Sequence, residues 1–284
     1  PIQRFTHGVA VVEGTALPAA RQLQMFWVDP VHSMLIATER QPLGATFGTR
    51  DLEPVLKSAD DGFRPVFIVN APDGSLHVAD FYEHYIAHGQ HYQSQIDPTT
   101  GRIYRLRGRG SMLEKDVDLT RKSADELIAL LAHPNKWHRQ TAARLLGWRS
   151  TPEVVASLRT QLLSPSAPLA ALWALHQAGG LDEATAHAAL RHPSPSIREW
   201  TVRLLGDRRE LPTQLATEME DQARVEPDVR VRAQMAASAR RLTVTQGLAL
   251  VKALFSHEVD AGDPCVGLLC WWVLEASLLT QRDA

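Results

Sequence analysis

Cysteine is almost missing from this chain: Cys265 and Cys270 are the only two in 284 residues. On a helix, five positions set them about 7.5 Å apart along the axis and about 140° around it, which opposes a mutual disulfide. Their spacing is neither CxxC nor CxxCH, so it supplies no zinc knuckle and no covalent haem attachment. Long apolar runs are missing as well. "CVGLLCWWVL" is ten residues and stops at Glu275, far short of a transmembrane helix. Charge of one sign is also lacking. Residues 1–112 hold ten Lys/Arg against eleven Asp/Glu, and residues 113–284 hold twenty against twenty-one. Neither half has the basic excess that phosphate binding needs, so nucleic acid is not expected as a partner. The start, "PIQRF", has neither Met nor the layout of a signal peptide, and the chain reads as processed or trimmed.

What is present is a soluble composition, 44% hydrophobic and 22% charged, in two stretches of different period. Residues 1–112 read as β. "GVAVVEG" (8–14), "LQMFWVD" (23–29) and "HSMLIATE" (32–39) are rich in Val, Ile, Phe and Trp between turn formers. "PVFIVN" (65–70) and "SLHVAD" (75–80) flank "APDG", with Pro72 suited to the first corner and Gly74 to a positive φ. "GRIYRLRG" (101–108) adds a further short strand. Short strands without helical period between them predict a barrel, a sandwich or propeller blades.

Residues 113–284 read as helical. Ser123 with Glu126 three positions later is a capping box, and in the next helix Trp137, Thr141, Leu145 and Trp148 share a face. Turn prolines recur at 134, 165, 193, 227 and 264, spaced 31, 28, 34 and 37 residues apart. Each ends one helix, lacking an N–H, and suits the first turn of the next. A period near thirty with two helices per unit predicts a stacked α-solenoid, with pairs over 123–149, 152–178, 182–207, 212–241 and 245–280. The units resemble HEAT repeats, in which an inward Arg stands near the start of the second helix. Arg139, Arg198 and Arg232 lie close to that place, and the plain expectation is that they bond carbonyls or acids between neighbouring units. The fold class is therefore α+β.

Taken together, "DPVHSM" (29–34), Phe63–His91, "GRIYRLRG", "HPNKWHRQTAARLL" (133–146) and "WWVLEASL" (271–278) resemble the membrane-bound dehydrogenase or PVC-type haem-binding family. That resemblance implies the last blade or blades of a β-propeller similar to glucose/sorbosone dehydrogenases, leading into HEAT-like repeats. It further implies a periplasmic or exported location and oxidation of a sugar or other hydroxyl compound. Pyrroloquinoline quinone and Ca²⁺ are the cofactors implied for the larger protein, and electrons would pass to a c-type haem domain. The remaining blades and that cytochrome domain are the implied partners, because this chain holds β sequence for one or two blades and no cytochrome. The rival expectation is a non-catalytic HEAT-repeat scaffold that binds a protein.

The histidines of 84–91 stay open between three readings. On a helix, His84, His88 and His91 would place three imidazoles on one face, as a metal site wants, although Gly89 interrupts that helix. In the propeller reading, Asp80 orients a neutral His88 to accept a proton from a substrate hydroxyl, beside Tyr82, while Arg64 neutralises a bound anion. In the structural reading, Asp80 caps the following turn and Tyr82 and His88 bond locally. His133 and His192 precede turn prolines and are expected to favour the helix dipole. Of Trp271 and Trp272, one is expected in the core and the other at an interface.

Overall fold

A computed structural model describes residues 5–84 and 99–280. Two compact units divide the chain, Pro1–Gln41 with Gly48–Ala142 and Pro42–Phe47 with Ala143–Ala284.

The first unit is built on two antiparallel meanders. One sheet has the order β1 (Gly8–Val11), β2 (Met25–Asp29), β3 (Met34–Leu43), β4 (Thr46–Lys57). The other has β5 (Pro65–Asn70), β6 (Leu76–Asp80), β7 (Arg102–Leu106). Their facing side chains form one core of Val12, Phe26, Val28, Leu35, Ile68, Leu76 and Val78. Asn70 ties the sheets together, donating to Val11 O at 2.8 Å and accepting from Glu13 N at 2.9 Å. The "APDG" turn closes as its residues dictate, with Gly74 at φ +84 and Gly74 N donating to Ala71 O. A Cβ on Gly74 would stand 2.2 Å from Thr15 Oγ1, so close packing also demands glycine here. A closed ring of blades is not among the described residues.

β4 is an addition to the sequence expectation. Its side chains are all exposed or half-buried, as on an edge strand that carries charge and proline instead of alternating apolar residues. Arg50, Asp51, Glu53 and Pro54 mask its period.

Helices α1 (Ala124–Ala129) and α2 (Lys136–Trp148) follow. The capping box is formed, with Glu126 N to Ser123 Oγ and Ser123 N to Glu126 Oε2 at 2.8 Å. α2 buries His138, Thr141, Ala142, Leu145 and Leu146. Trp148 departs from the expected face: it is exposed and lies under the Arg144 guanidinium, 5.1 Å from its ring centre.

The second unit contains α3 (Pro152–Leu162), α4 (Leu169–Gln177), α5 (Glu183–Leu190), α6 (Pro195–Gly206), α7 (Thr213–Val225), α8 (Val229–Ala239), α9 (Val244–Leu254) and α10 (Val266–Thr280). First helices of successive pairs stack on one another, α5 on α7 on α9, and second helices likewise, α4 on α6 on α8 on α10. That is the repeating arrangement of an α-solenoid. The stack is tight where α6 meets α8: a Cβ on Gly206 would lie 2.7 Å from Ser238 Cβ. The turn prolines lie in the connections and not in the first turns they were expected to fill; that position is taken by Pro152 in α3 and Pro195 in α6.

Candidate functional site

Arg64, Asp80, Tyr82 and His84 fall in one neighbourhood at the start of β5 and the end of β6. Asp80 Oδ1 accepts from Arg64 N at 2.8 Å and Tyr82 N at 3.0 Å, which holds Tyr82 at φ +51. The Arg64 guanidinium is buried and donates to Pro30 O and Ser33 Oγ, each at 3.0 Å, and to His84 O at 3.3 Å. It thereby clasps the turn between β2 and β3. Asp29 closes that turn from within, its buried carboxylate accepting from Val31 N and His32 N at 3.0 Å and meeting His32 Nδ1 at 2.8 Å. Arg102 stacks over the Tyr82 ring at 5.0 Å, and the His84 ring meets its edge at 5.5 Å. The charge of Asp60, with some burial, raises the Tyr82 phenol above its ordinary value. His84 Nδ1 lies 3.0 Å from Asp61 Oδ1. Among the described residues, two buried atoms here have no hydrogen-bond partner, Arg64 Nε and Asp80 Oδ2. His88 and His91 lie outside the described residues, so of the sequence-predicted metal trio only His84 is placed.

A second cluster joins Glu114, His133 and His138, and no spacing in the sequence announced it. Glu114 N donates to Asp73 O, which brings the linker before α1 to the "APDG" turn. His138 Nε2 lies 2.6 Å from Glu114 Oε2 and 3.1 Å from Pro72 O. His133 Nε2 stands 3.8 Å from the same carboxylate oxygen, and the two rings lie 4.5 Å apart. One ligand atom from each residue falls within 4.8 Å of the others, close enough for a divalent ion. The tautomers oppose one. His133 Nδ1 accepts the Asn135 N–H at 3.1 Å, so a neutral ring carries its proton on Nε2, the nitrogen a metal would need. Burial lowers the His133 pKa, Glu114 opposing and the neighbouring His138 assisting. The ring is thus a neutral acceptor of the Asn135 N–H.

His192 repeats this device one unit later. Its Nδ1 accepts Ser194 N at 3.0 Å, and its Nε2 pairs with Ser164 O at 2.9 Å. Both histidines follow helix ends as expected, but their rings serve the next turn and the preceding unit more than the helix dipole.

The arginines do what the plain expectation held. Arg198 Nη1 donates to His192 O and Pro193 O, and its other two nitrogens grip Glu226 at 2.8 and 2.6 Å. Arg232 repeats the pattern on Glu226 O and Asp260, at 2.6 and 2.5 Å to the carboxylate. Each acid lies 28 residues beyond its arginine, close to the length of a repeat. Arg139 bonds His133 O, Pro134 O and Glu13.

The last helix offers a different surface. α10 buries Val266, Cys270, Val273 and Ser277 along one stripe, and burial raises the Cys270 thiol to about 11. Leu268, Trp271, Trp272 and Leu278 are exposed, the two tryptophans at 53% and 46%. The expectation that one tryptophan enters the core is therefore corrected: the buried stripe runs through Cys270 and Val273 and leaves both outside. No helix among the described residues is long and apolar enough to cross a membrane.

Comparison with known families divides the chain in the same order. A family profile described as a domain of unknown function (DUF7133) matches residues 2–110. Residues 118–179 match HEAT repeats. The solenoid is accordingly HEAT-like, and such repeats fit protein–protein interaction. No curated protein and no solved structure matches the chain.

Proposed function

We propose that this chain is a scaffold whose HEAT-like solenoid docks a protein partner through the outer face of α10. The observation that carries the reading is the row Leu268, Trp271, Trp272 and Leu278, exposed on one side of a helix whose other side is already packed. Water-facing helices are ordinarily polar on the free side. Exposed apolar side chains that include two tryptophans, grouped on one face beside Glu275, have the character of an interaction surface. A photo-crosslinking amino acid placed at Leu268 tests this in the native host, with one at exposed Arg240 as control. The expected result is one protein captured from Leu268, not from Arg240, and lost when Trp271→Ser and Trp272→Ser are added. Equal capture from both positions would remove the reading.

A finer reading makes this scaffold part of a periplasmic propeller-type dehydrogenase. Its β portion would serve the oxidation of a sugar or other hydroxyl compound with pyrroloquinoline quinone and Ca²⁺, and the docked partner would be a haem domain. Two consecutive antiparallel meanders sharing one core support it, together with the motif resemblance of Phe63–Gly108. In this reading Arg64, Asp80, Tyr82 and His88 serve the substrate. Because Asp80 also holds two backbone N–H groups, Asp80→Ala is expected to lower stability in any case. His88→Ala in the intact gene product is the cleaner probe: turnover should fall with an unchanged melting temperature. Unaltered turnover would count against the dehydrogenase.

A further inference from the structure

We propose that the turn at His133 is an acid-opened latch, in which protonating the imidazole ejects the Asn135 N–H and loosens the start of α2 from the "APDG" turn. The geometry demands a neutral ring. Nδ1 accepts Asn135 N–H at 3.1 Å, and a protonated imidazole has two N–H groups and no lone pair to offer. A second proton would therefore set Nδ1–H against Asn135 N–H.

Asn135 is the hinge of the junction. Its side chain is buried, donates to Pro72 O at 3.1 Å and Ala71 O at 3.3 Å, and accepts from Trp137 N at 3.0 Å. One residue thus fixes both the first turn of α2 and the hairpin turn beneath it. Displacing its backbone N–H strains both attachments.

The surroundings do not fix the ring in the charged state. Among the described residues, Glu114, from the linker, is the carboxylate facing it, at 3.8 Å, beyond hydrogen-bond length. That carboxylate is already engaged by His138 Nε2 at 2.6 Å and by the Thr15 hydroxyl. From α2, His138 and Arg139 face the ring, and Arg139 adds positive charge. The lowered His133 pKa agrees in direction. The folded state therefore binds the proton less readily than the open state. Stability of the latch is complete above about pH 6.5, the open-state value, and declines as pH falls below it.

Hydrogen exchange of the whole chain, corrected for the intrinsic pH dependence of exchange, tests the proposal. Between about pH 7 and about pH 5.5, protection at the amides of residues 135–139 should fall, by at most about tenfold, the ceiling set by one proton taken up on opening. In His133→Gln, whose amide oxygen can accept the Asn135 N–H without titrating, protection should stay level over the same range. His133→Asn serves as the second non-titrating variant should the first lose its thermal transition. His192→Gln should leave the pH response of residues 135–139 as in the wild type. An equal fall in wild type and His133→Gln, or no fall in the wild type, would overturn the latch.

Discussion

Arg198 gives two hydrogen bonds to a Glu226 carboxylate that is 1% exposed, and a third and fourth to the His192 and Pro193 carbonyls in the connection before α6. Among the described residues, Glu226 pairs with its positive charge in low-dielectric surroundings, and the charge of Asp228 adds to that. Removing either partner leaves the other buried and unpaired, which costs about 3–5 kcal/mol. Arg198→Met and Glu226→Leu should each lower the unfolding free energy read from urea denaturation by that amount. Arg198→Met with Glu226→Leu should lose clearly less than the sum, since neither charge then remains. Additive losses in the double-mutant cycle would mean that the pair is not a coupled unit. The same reasoning separates Asp80 from a free catalytic carboxylate: one of its oxygens already serves two backbone N–H groups.

At the level of single elements, short helices depend on their first turns. α5 has eight residues, below the length at which a helix is stable by itself in water. Asp182 caps it, accepting from Thr185 N at 2.8 Å, and Arg159 from α3 donates to both Asp182 and Thr185. Hydrogen bonds from the Thr185 hydroxyl and backbone lower the Asp182 carboxyl below its ordinary value. A lowered folded pKa means stability present above the unfolded value, about 3.9, and lost as pH falls through the folded one. Asp182→Ala should therefore cost about 1 kcal/mol at neutral pH. The difference from wild type should shrink when denaturation is repeated near pH 3, and a gap constant with pH would exclude the carboxylate as its source. β4 teaches the complementary lesson for strands. Its pairing to β3 needs no strict apolar alternation, because an edge strand can stay largely wet while Leu52 and Val55, half-buried, still pack against the core.

For the whole molecule, solenoid stability is close to a sum of units and the interfaces between neighbours. The outer face of α10 is largely exposed and adds little to that sum, whereas its inner stripe packs against α8 and α9. Trp271→Ser with Trp272→Ser should leave the unfolding free energy within about 0.5 kcal/mol. Val273→Ala, 3% exposed, should cost about 2 kcal/mol. Equilibrium denaturation of both variants decides it: a large loss from the tryptophan pair would assign those rings to the core and withdraw them from docking.

The sequence by itself determined the two regimes of the chain, because period is a local property. Alternating Val and Ile between turn formers specify strands, and paired apolar faces separated by prolines specify stacked helices. The positive φ at Gly74, the capping box at Ser123 and the gripping role of Arg198 and Arg232 were legible for the same reason: each follows from residues within one turn or one repeat. Only the tertiary structure decided what distant residues do together. Glu114, His133 and His138 have no shared spacing and meet because the linker folds back on the "APDG" turn. Which side of α10 stays dry depends on where α8 and α9 lie, and a helix apolar nearly all round carries no mark of that choice. The tautomer of His133, and with it the difference between a metal ligand and a latch, is set by one backbone N–H that no composition or period encodes.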